Sequence, residues 1–319
     1  MTNKILLSGG LVYDSILLHK GEFHARILPE SLSRLNVAFG VQDEKQEFGG
    51  CAGNIAYNLS LLNLQPMLIA SIGHDGDKFI KWLEQNNIST QYLHQSSQQT
   101  AHAWILTDTQ NNQITGFMAG CMKEKCKIPT ITPKLWHLAP DMCEVTSEYI
   151  KEAIYQEKDY FFDPGQALPA FLEGDGEHII SLEKILNNAT CIFLNEYEFE
   201  LIYEKLGESF FNVFNNKTMF IIKTLGSKGV WCYKKDTSFS VDVANADKII
   251  DPTGCGDAFR AGFLYGYLNQ FDLKQCVELG AVMGSFAIEQ HGGQNHKVTI
   301  QKLINRYQKN YLDYIVSPV

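Results

Sequence analysis

The sequence has little of what would tie a protein to nucleic acid. Lysine and arginine total 27 against 36 aspartate and glutamate, a formal net charge of −9, and the basic residues form only short runs such as KEKCK at 123–127. Phosphate backbones are gripped by clustered cations, so a nucleic-acid surface is excluded. A single nucleotide is not, because backbone amides and one or two cations suffice for it. Paired cysteines are missing too. The eight cysteines are scattered at 51, 121, 126, 143, 191, 232, 255 and 276, with no C-x-x-C. That argues against zinc and predicts reduced core thiols in a cytoplasmic protein. No apolar stretch reaches the ~20 residues that span a bilayer. The opening MTNKILLSGGLVYDS carries no cleavage pattern, so it reads as a first strand and not as a signal peptide. Neither a membrane nor a nucleic acid is an expected partner. Common phosphate fingerprints are absent as well: no G-x-x-x-x-G-K-[ST], no protein-kinase signature set, and no G-x-G-x-x-G behind the first strand.

What is present is an ordinary globular composition, 45% hydrophobic and 20% charged over 319 residues. That is ample for a large core in one large domain or about two. Short β-rich runs alternate with helical patterns. Strands are expected at KILLSGG (4–10), MLIASIG (67–73), KLWHLAP (134–140), YFFDPG (160–165), CIFLNEY (191–197), FIIKTLG (220–226) and GVWCYKK (229–235). Helices are expected over 53–64, 77–88, 147–157, 180–188, 256–270, 273–290 and 299–313. Nearly continuous apolar strands separated by helices predict an α/β fold with a parallel sheet covered on both faces. Ligands of such folds bind beyond the carboxyl ends of the strands, and several of those ends are polar here. Residues 11–48 and 99–120 break the alternation with β-type sequence, the second around a TQNNQ turn. Together they predict a small β-lid over the active end of the sheet. No linker divides the chain, so 1–319 reads as one domain.

Residues 251–262, DPTGCGDAFRAG, place Asp257 where an apolar helix begins. The first-turn N–H groups of a helix have no partner within it and favour an anion, and glycines at 254 and 256 let a ligand approach the backbone. The residues alone leave two readings open, a capped turn or an anion site with Asp257 handling a proton. EFGGCAGNIAYNL (47–59) sets Gly49, Gly50 and Gly53 before a helix with Asn54 at its start, either a cap or a backbone that lies against hydroxyls. In SGGLVYD (8–14), Asp14 follows a glycine-ended strand as a turn residue or a hydroxyl-binding carboxylate. LNEYE puts Asn195 and Glu198 on one helix face, two oxygens of the kind a hydrated hard cation uses. KTLGSKG (223–229) offers Thr224 and Gly226 for phosphate contact or for a simple hairpin.

Taken together, these segments resemble the ribokinase-like (PfkB) carbohydrate kinases over essentially the whole chain. GGCAGNIAYNL is similar to that family's first signature and DPTGCGDAFRAGFLYG to its second, while NEYE and TLGSKG resemble its N-x-x-E motif and nucleotide-phosphate segment. All four stand in the family's order. SGGLVYDSILL, ILPE, EFGGCAGNIAYNL and NNQITGF look closest to the bacterial adenosine kinases. GGCAGN replaces the Gly-Gly-Lys-Gly-like spacing of ribokinase proper, which favours the nucleoside group.

The resemblance implies a Rossmann-type, mostly parallel sheet with helices on both faces and a β-lid. It implies ATP- and Mg²⁺-dependent phosphorylation of the 5′-hydroxyl of adenosine to AMP, a purine-salvage step. Another nucleoside, ribose or fructose is the alternative acceptor, and a non-catalytic nucleoside-binding regulator the alternative of another class. By the same resemblance Asp257 is the base, and the N–H groups of Gly254, Cys255 and Gly256 form the anion hole. Asp14, Gly50 and Asn54 hold ribose hydroxyls, and Thr224 and Gly226 contact the ATP phosphates. Asn195 and Glu198 organise Mg²⁺ largely through water, and Asp251 and Thr253 match part of a K⁺ site whose closing loop is EQHGGQNH. Trp104 and Phe117 are candidates for the purine or for lid core, and lid edges are the expected place for a homodimer. At a helix N-terminus Asp257 is expected to stay ionised.

Overall fold

The computed structural model describes residues 5–27, 36–110, 112–174, 178–215 and 217–312. Strand β1 (Ile5–Ser8) leads through two glycines into β2 (Val12–Leu18), followed by β3 (Asp43–Gly49) and helix α1 (Cys51–Leu61). Next come β4 (Met67–Ile69), β5 (Ser71–Ile72), α2 (Asp77–Gln85), β6 (His94–Gln95), β7 (Ala101–Thr107) and β8 (Gln113–Met118). The middle of the chain supplies β9 (Leu135–Leu138), α3 (Cys143–Tyr155), β10 (Asp159–Phe162), α4 (Leu168–Glu173) and α5 (Leu182–Asn188). Then follow β11 (Cys191–Asn195), α6 (Glu196–Leu206), β12 (Phe220–Thr224), β13 (Val230–Tyr233) and β14 (Ser238–Val241). Helices α7 (Cys255–Leu268), α8 (Leu273–Ala287) and α9 (Ile300–Tyr311) complete the described chain.

The central sheet runs β14-β13-β12-β11-β10-β9-β1-β4. From β4 to β12 neighbours are parallel; β13 and β14 add antiparallel at one edge. Successive strand residues point to opposite faces, and here both faces are apolar. Leu7, Phe161, Phe193 and Ile222 pack with Ala56, Phe79, Phe263 and Val277 of α1, α2, α7 and α8. On the other face Leu6, Phe162, Leu194 and Ile221 pack with Ile150, Phe171, Ile185 and Ile202 of α3 to α6. Burial on both faces is why these strands read as unbroken apolar runs.

Several segments differ from expectation. MLIASIG is two strands: after Ile69 the chain leaves the central sheet, the Ala70 carbonyl accepts from His94, and β5 pairs with β6. CIFLNEY ends early because Asn195 turns back to cap α6. Strand β14, helix α4 and a 3-10 turn over Gly207–Asn215 lie outside the expected elements; β14 and α4 are too short to show a period. Residues 28–30 of ILPE, Asn111 of TQNNQ and the last residue of the 299–313 helix lie outside the described residues. Among the described residues no helix is long and apolar enough to cross a membrane.

A second sheet, β3-β2-β7-β8, takes its strands from 12–49 and 101–118, running one residue past the expected 11–48 and lying within 99–120. Directly paired residues share a face. One row across it is Glu47, Asp14, Ala103 and Phe117; the next row, on the opposite face, is Gln46, Ser15, Trp104 and Gly116.

Candidate active site

Gly254 caps α7 in the left-handed region, with φ 75°. A Cβ at this position would stand 2.5 Å from the Cα of Gly293. Only glycine both holds this backbone conformation and lets the loop after α8 lie against the turn. In the first turn of α7, Asp257 Oδ2 accepts a hydrogen bond of 2.8 Å from Asn54 Nδ2 of α1, and the Cys51 thiol donates to the same carboxylate. Beneath them lies a buried ion pair. Arg260 Nη2 donates to Asp163 Oδ1 at 2.9 Å, its Nε donates to Oδ2, and its Nη1 reaches the Gly256 carbonyl at 3.0 Å. Asp163 follows directly on β10, so the pair ties the sheet's carboxyl end to the helix that carries Asp257.

Burial pushes the Asp257 carboxyl up to about 6, opposed by the Arg260 charge and the Asn54 hydrogen bond, with Asp163 pushing upward again. Desolvation thus outweighs the helix dipole and raises the proton affinity above that of an ordinary carboxyl, while a group near 6 is still mostly ionised at neutral pH. Asp14 is pushed further, to about 7, by burial, by Asp257 and by Glu47. Its carboxylate occupies the space a side chain on Gly49 would need, Oδ2 lying 2.0 Å from where that Cβ would be. Repulsion from the Asp257 charge adds to burial in raising the proton affinity of Asp14.

The residues expected at the nucleotide end are built differently. Asn195 Oδ1 accepts from the Glu198 N–H at 2.8 Å, and Glu198 Oε2 accepts from the Asn195 N–H at 2.8 Å. This is a reciprocal capping box at the start of α6. Burial and Asp163 raise Glu198 to about 6, against the Asn195 hydrogen bond and the Arg260 charge. Thr224 Oγ1 donates to the Leu194 carbonyl at 3.4 Å. Gly226 is exposed, with no atom within 4 Å of where a Cβ would be. Asp251 accepts from the N–H groups of Thr253 and Gly292, both at 2.9 Å. Burial pushes its pKa up, but those amides carry it below the ordinary value. Among the described residues no group of three or more His, Cys, Asp or Glu side chains is arranged to hold a metal.

Of the three N–H groups expected to form the anion hole, that of Cys255 closes the turn on the Pro252 carbonyl at 3.1 Å. Asn54 is engaged at both ends, its Oδ1 accepting from Gln294 at 3.0 Å, so only its second N–H and second lone pair are free for a hydroxyl. Trp104 lies on the sheet face opposite Asp14, stacked on His102 at 4.2 Å, whereas Phe117 shares the Asp14 face. Sequence reasoning passed over Asp163, Arg260, Cys51 and Gln294. A lone arginine inside the apolar run AFRAGFL was a usable signal, because a buried cation demands a partner. Gln294 had none.

A family model for the pfkB family carbohydrate kinases matches residues 23–300, and the chain belongs to that family. It is an ATP-dependent kinase that phosphorylates a hydroxyl group, built on the ribokinase-like α/β fold. Among its relatives, the nucleoside kinase of Methanocaldococcus jannaschii is 31% identical over 286 residues, covering 88% of this chain and 92% of that protein. The solved structure of an M. jannaschii nucleoside kinase superposes with a TM-score of 0.84 at 30% identity, over 97% and 99% of the two chains. The Burkholderia thailandensis nucleoside kinase in complex with inosine gives 0.82 at 31%, over 96% and 98%.

Proposed function

We propose that this kinase transfers the γ-phosphoryl group of ATP to the 5′-hydroxyl of adenosine, giving AMP and ADP in cytoplasmic purine salvage. The observation that carries the nucleoside reading is the apolar ground beside Asp14. Val12, Ala101, Ala103 and Met122 form a cluster of their own, with Ile105 and Met142 packed against it, and the Asp14 row ends in Phe117, 55% exposed. A free sugar has no use for such a wall, whereas a purine stacks on it. In this arrangement Asp14, Gly50 and Asn54 hold the ribose hydroxyls, and the base lies over Ala103 toward Phe117.

The 5′ oxygen attacks the γ-phosphorus as the bond to the β-phosphate oxygen breaks, and its proton passes to Asp257. Gly254 and Gly256 N–H groups face the charge that develops on the phosphoryl oxygens. Such transfers are loose, so positioning outweighs proton removal, yet a base raised toward 6 is better matched to neutral pH than an unshifted carboxylate. Thr224 and Gly226 sit where the ATP phosphates pass. The Asn195–Glu198 cap uses one oxygen of Glu198, and a carboxylate offers two. That suits Mg²⁺ held mainly by phosphate and water, where the ion would neutralise phosphate charge. Asp251, bonded to the Thr253 and Gly292 N–H groups, fixes the loop after α8, and Asp251 and Thr253 would stand beside a K⁺ ion bound there. The second sheet closes as a lid that excludes water, and its edges pair two copies in a homodimer.

An ATP-consumption panel of adenosine, inosine, guanosine, ribose and fructose tests the acceptor. Adenosine is expected to give the highest kcat/KM. Inosine is the second reading, because the Burkholderia kinase binds it. Preference for a free sugar would overturn the nucleoside reading, and turnover that depends on neither KCl nor MgCl₂ would remove the ions from it.

A further inference from the structure

Three side-chain hydrogen bonds join four distant residues in one line. Trp82 Nε1 donates to Gln294 Oε1 at 2.7 Å, Gln294 Nε2 to Asn54 Oδ1 at 3.0 Å, and Asn54 Nδ2 to Asp257 Oδ2 at 2.8 Å. Gln294 is 2% exposed and Asn54 6%, so water does not compete for the bond at the middle of the line. An indole N–H can only donate. It therefore takes the carbonyl end of Gln294, which turns the Gln294 amide toward Asn54. Asn54 must then accept with its carbonyl and present its NH₂ to Asp257. An ionised carboxylate can only accept, so the direction set at Trp82 matches the ionised form at the far end.

We infer that Gln294 is a positioning residue: it locks the Asn54 amide in the orientation that favours ionised Asp257. The inference rests on Asp257 being the base. Its surroundings hold the line in place. The loop carrying Gln294 is pinned on both sides, by Gly292 N–H to Asp251 and by Asn295 Nδ2 to Glu47, each at 2.9 Å. Trp82 is stacked on Phe48 at 5.1 Å and on Tyr57 at 6.2 Å. Gly293 has no side chain where a Cβ would lie 2.6 Å from the Asn54 amide carbon, so the loop can close onto Asn54. Without Gln294, Asn54 could turn its carbonyl toward Asp257 and favour the protonated acid. The groups that act on Asp257 are Arg260 of its own helix, Asp163 after β10, and Cys51 of α1; Asp14 of β2 repels it. Lys297, 5.8 Å from the Trp82 ring centre, is the cation at the far end. Substitutions at 82 and 294 leave all of these unaltered.

The test is the pH dependence of kcat/KM for Gln294→Met, which keeps the length and removes both bonds, and for Trp82→Phe, which keeps the ring and removes the donor. The acid limb is expected to move to higher pH by about half a unit or more in Gln294→Met and by less in Trp82→Phe, with the KM for ATP unmoved. Should Gln294→Met fail to fold, Trp82→Phe, altered only at the far end, decides by itself. A limb that stays in place, whatever happens to the melting temperature, overturns the inference. Asp257→Asn separates the two levels. If it is inactive while the limb stays put, only the relay falls; if it turns over normally, the base itself was misassigned.

Discussion

At the proposed acceptor end, Asn54 reaches Asp257 and Gln294 across 203 and 240 positions of sequence, whereas at the proposed nucleotide end Asn195 and Glu198 bond each other across three. The first arrangement exists only once the fold has assembled α1, α7 and the loop after α8. The second forms with its helix. The acceptor end is therefore preorganised by contacts between distant elements. The nucleotide end is locally self-satisfied: Glu198 is buried and raised to about 6 as well, but its capping partner is three residues away, and Gly226 lies bare to solvent. Preorganisation is what a reacting group needs, whereas phosphates and a hydrated cation bring much of their own structure.

The largest effect that would break this contrast is at the pair beneath both ends. Asp163→Asn leaves Arg260 buried without its partner and should lower unfolding stability by ~3–5 kcal/mol, measured by urea denaturation; a loss like that of an exposed pair would mean the two ends share no common base. Asp14→Asn comes next. Asp14 titrates near 7 when folded but near 4 when unfolded, so between those values the native state binds more protons. Its contribution to stability consequently falls as pH rises through that window. The Asn variant should be more stable than the parent at pH 8, on the order of 2 kcal/mol, and no more stable at pH 4; equal stability at both would remove the proposed repulsion. Phe117→Ala should raise the nucleoside KM about tenfold by loss of base stacking without changing the KM for ATP, and Trp104→Ala should change neither. The smallest effect belongs to the local end. Asn195→Ala removes a cap and should cost about 1 kcal/mol while leaving the pH profile of kcat/KM in place.

The same contrast governs what could be read from the sequence. The doubly covered sheet showed in apolar runs such as YFFDPG and FIIKTLG, and the glycine turn at 254–256 and N-x-x-E at 195–198 are contiguous signals. What escaped was long-range. Nothing in EQHGGQNH indicates that Gln294 would reach Asn54, and nothing in DKFIKWLEQ that Trp82 would orient it. The raised proton affinity of Asp257 escaped for the same reason: the helix end is local and visible, but the burial that outweighs it comes from elements far away in the chain. Trp104 and Phe117 could not be told apart until the register of β2, β7 and β8 assigned them to opposite faces.

The central claim, that the acceptor end is built around Asp257 as the proton acceptor, is tested most directly by the single-turnover rate of Asp257→Asn at saturating adenosine and MgATP, with adenosine affinity measured alongside by calorimetry. The predicted result is a rate at least ~100-fold slower with binding largely retained. A near-normal rate would contradict it.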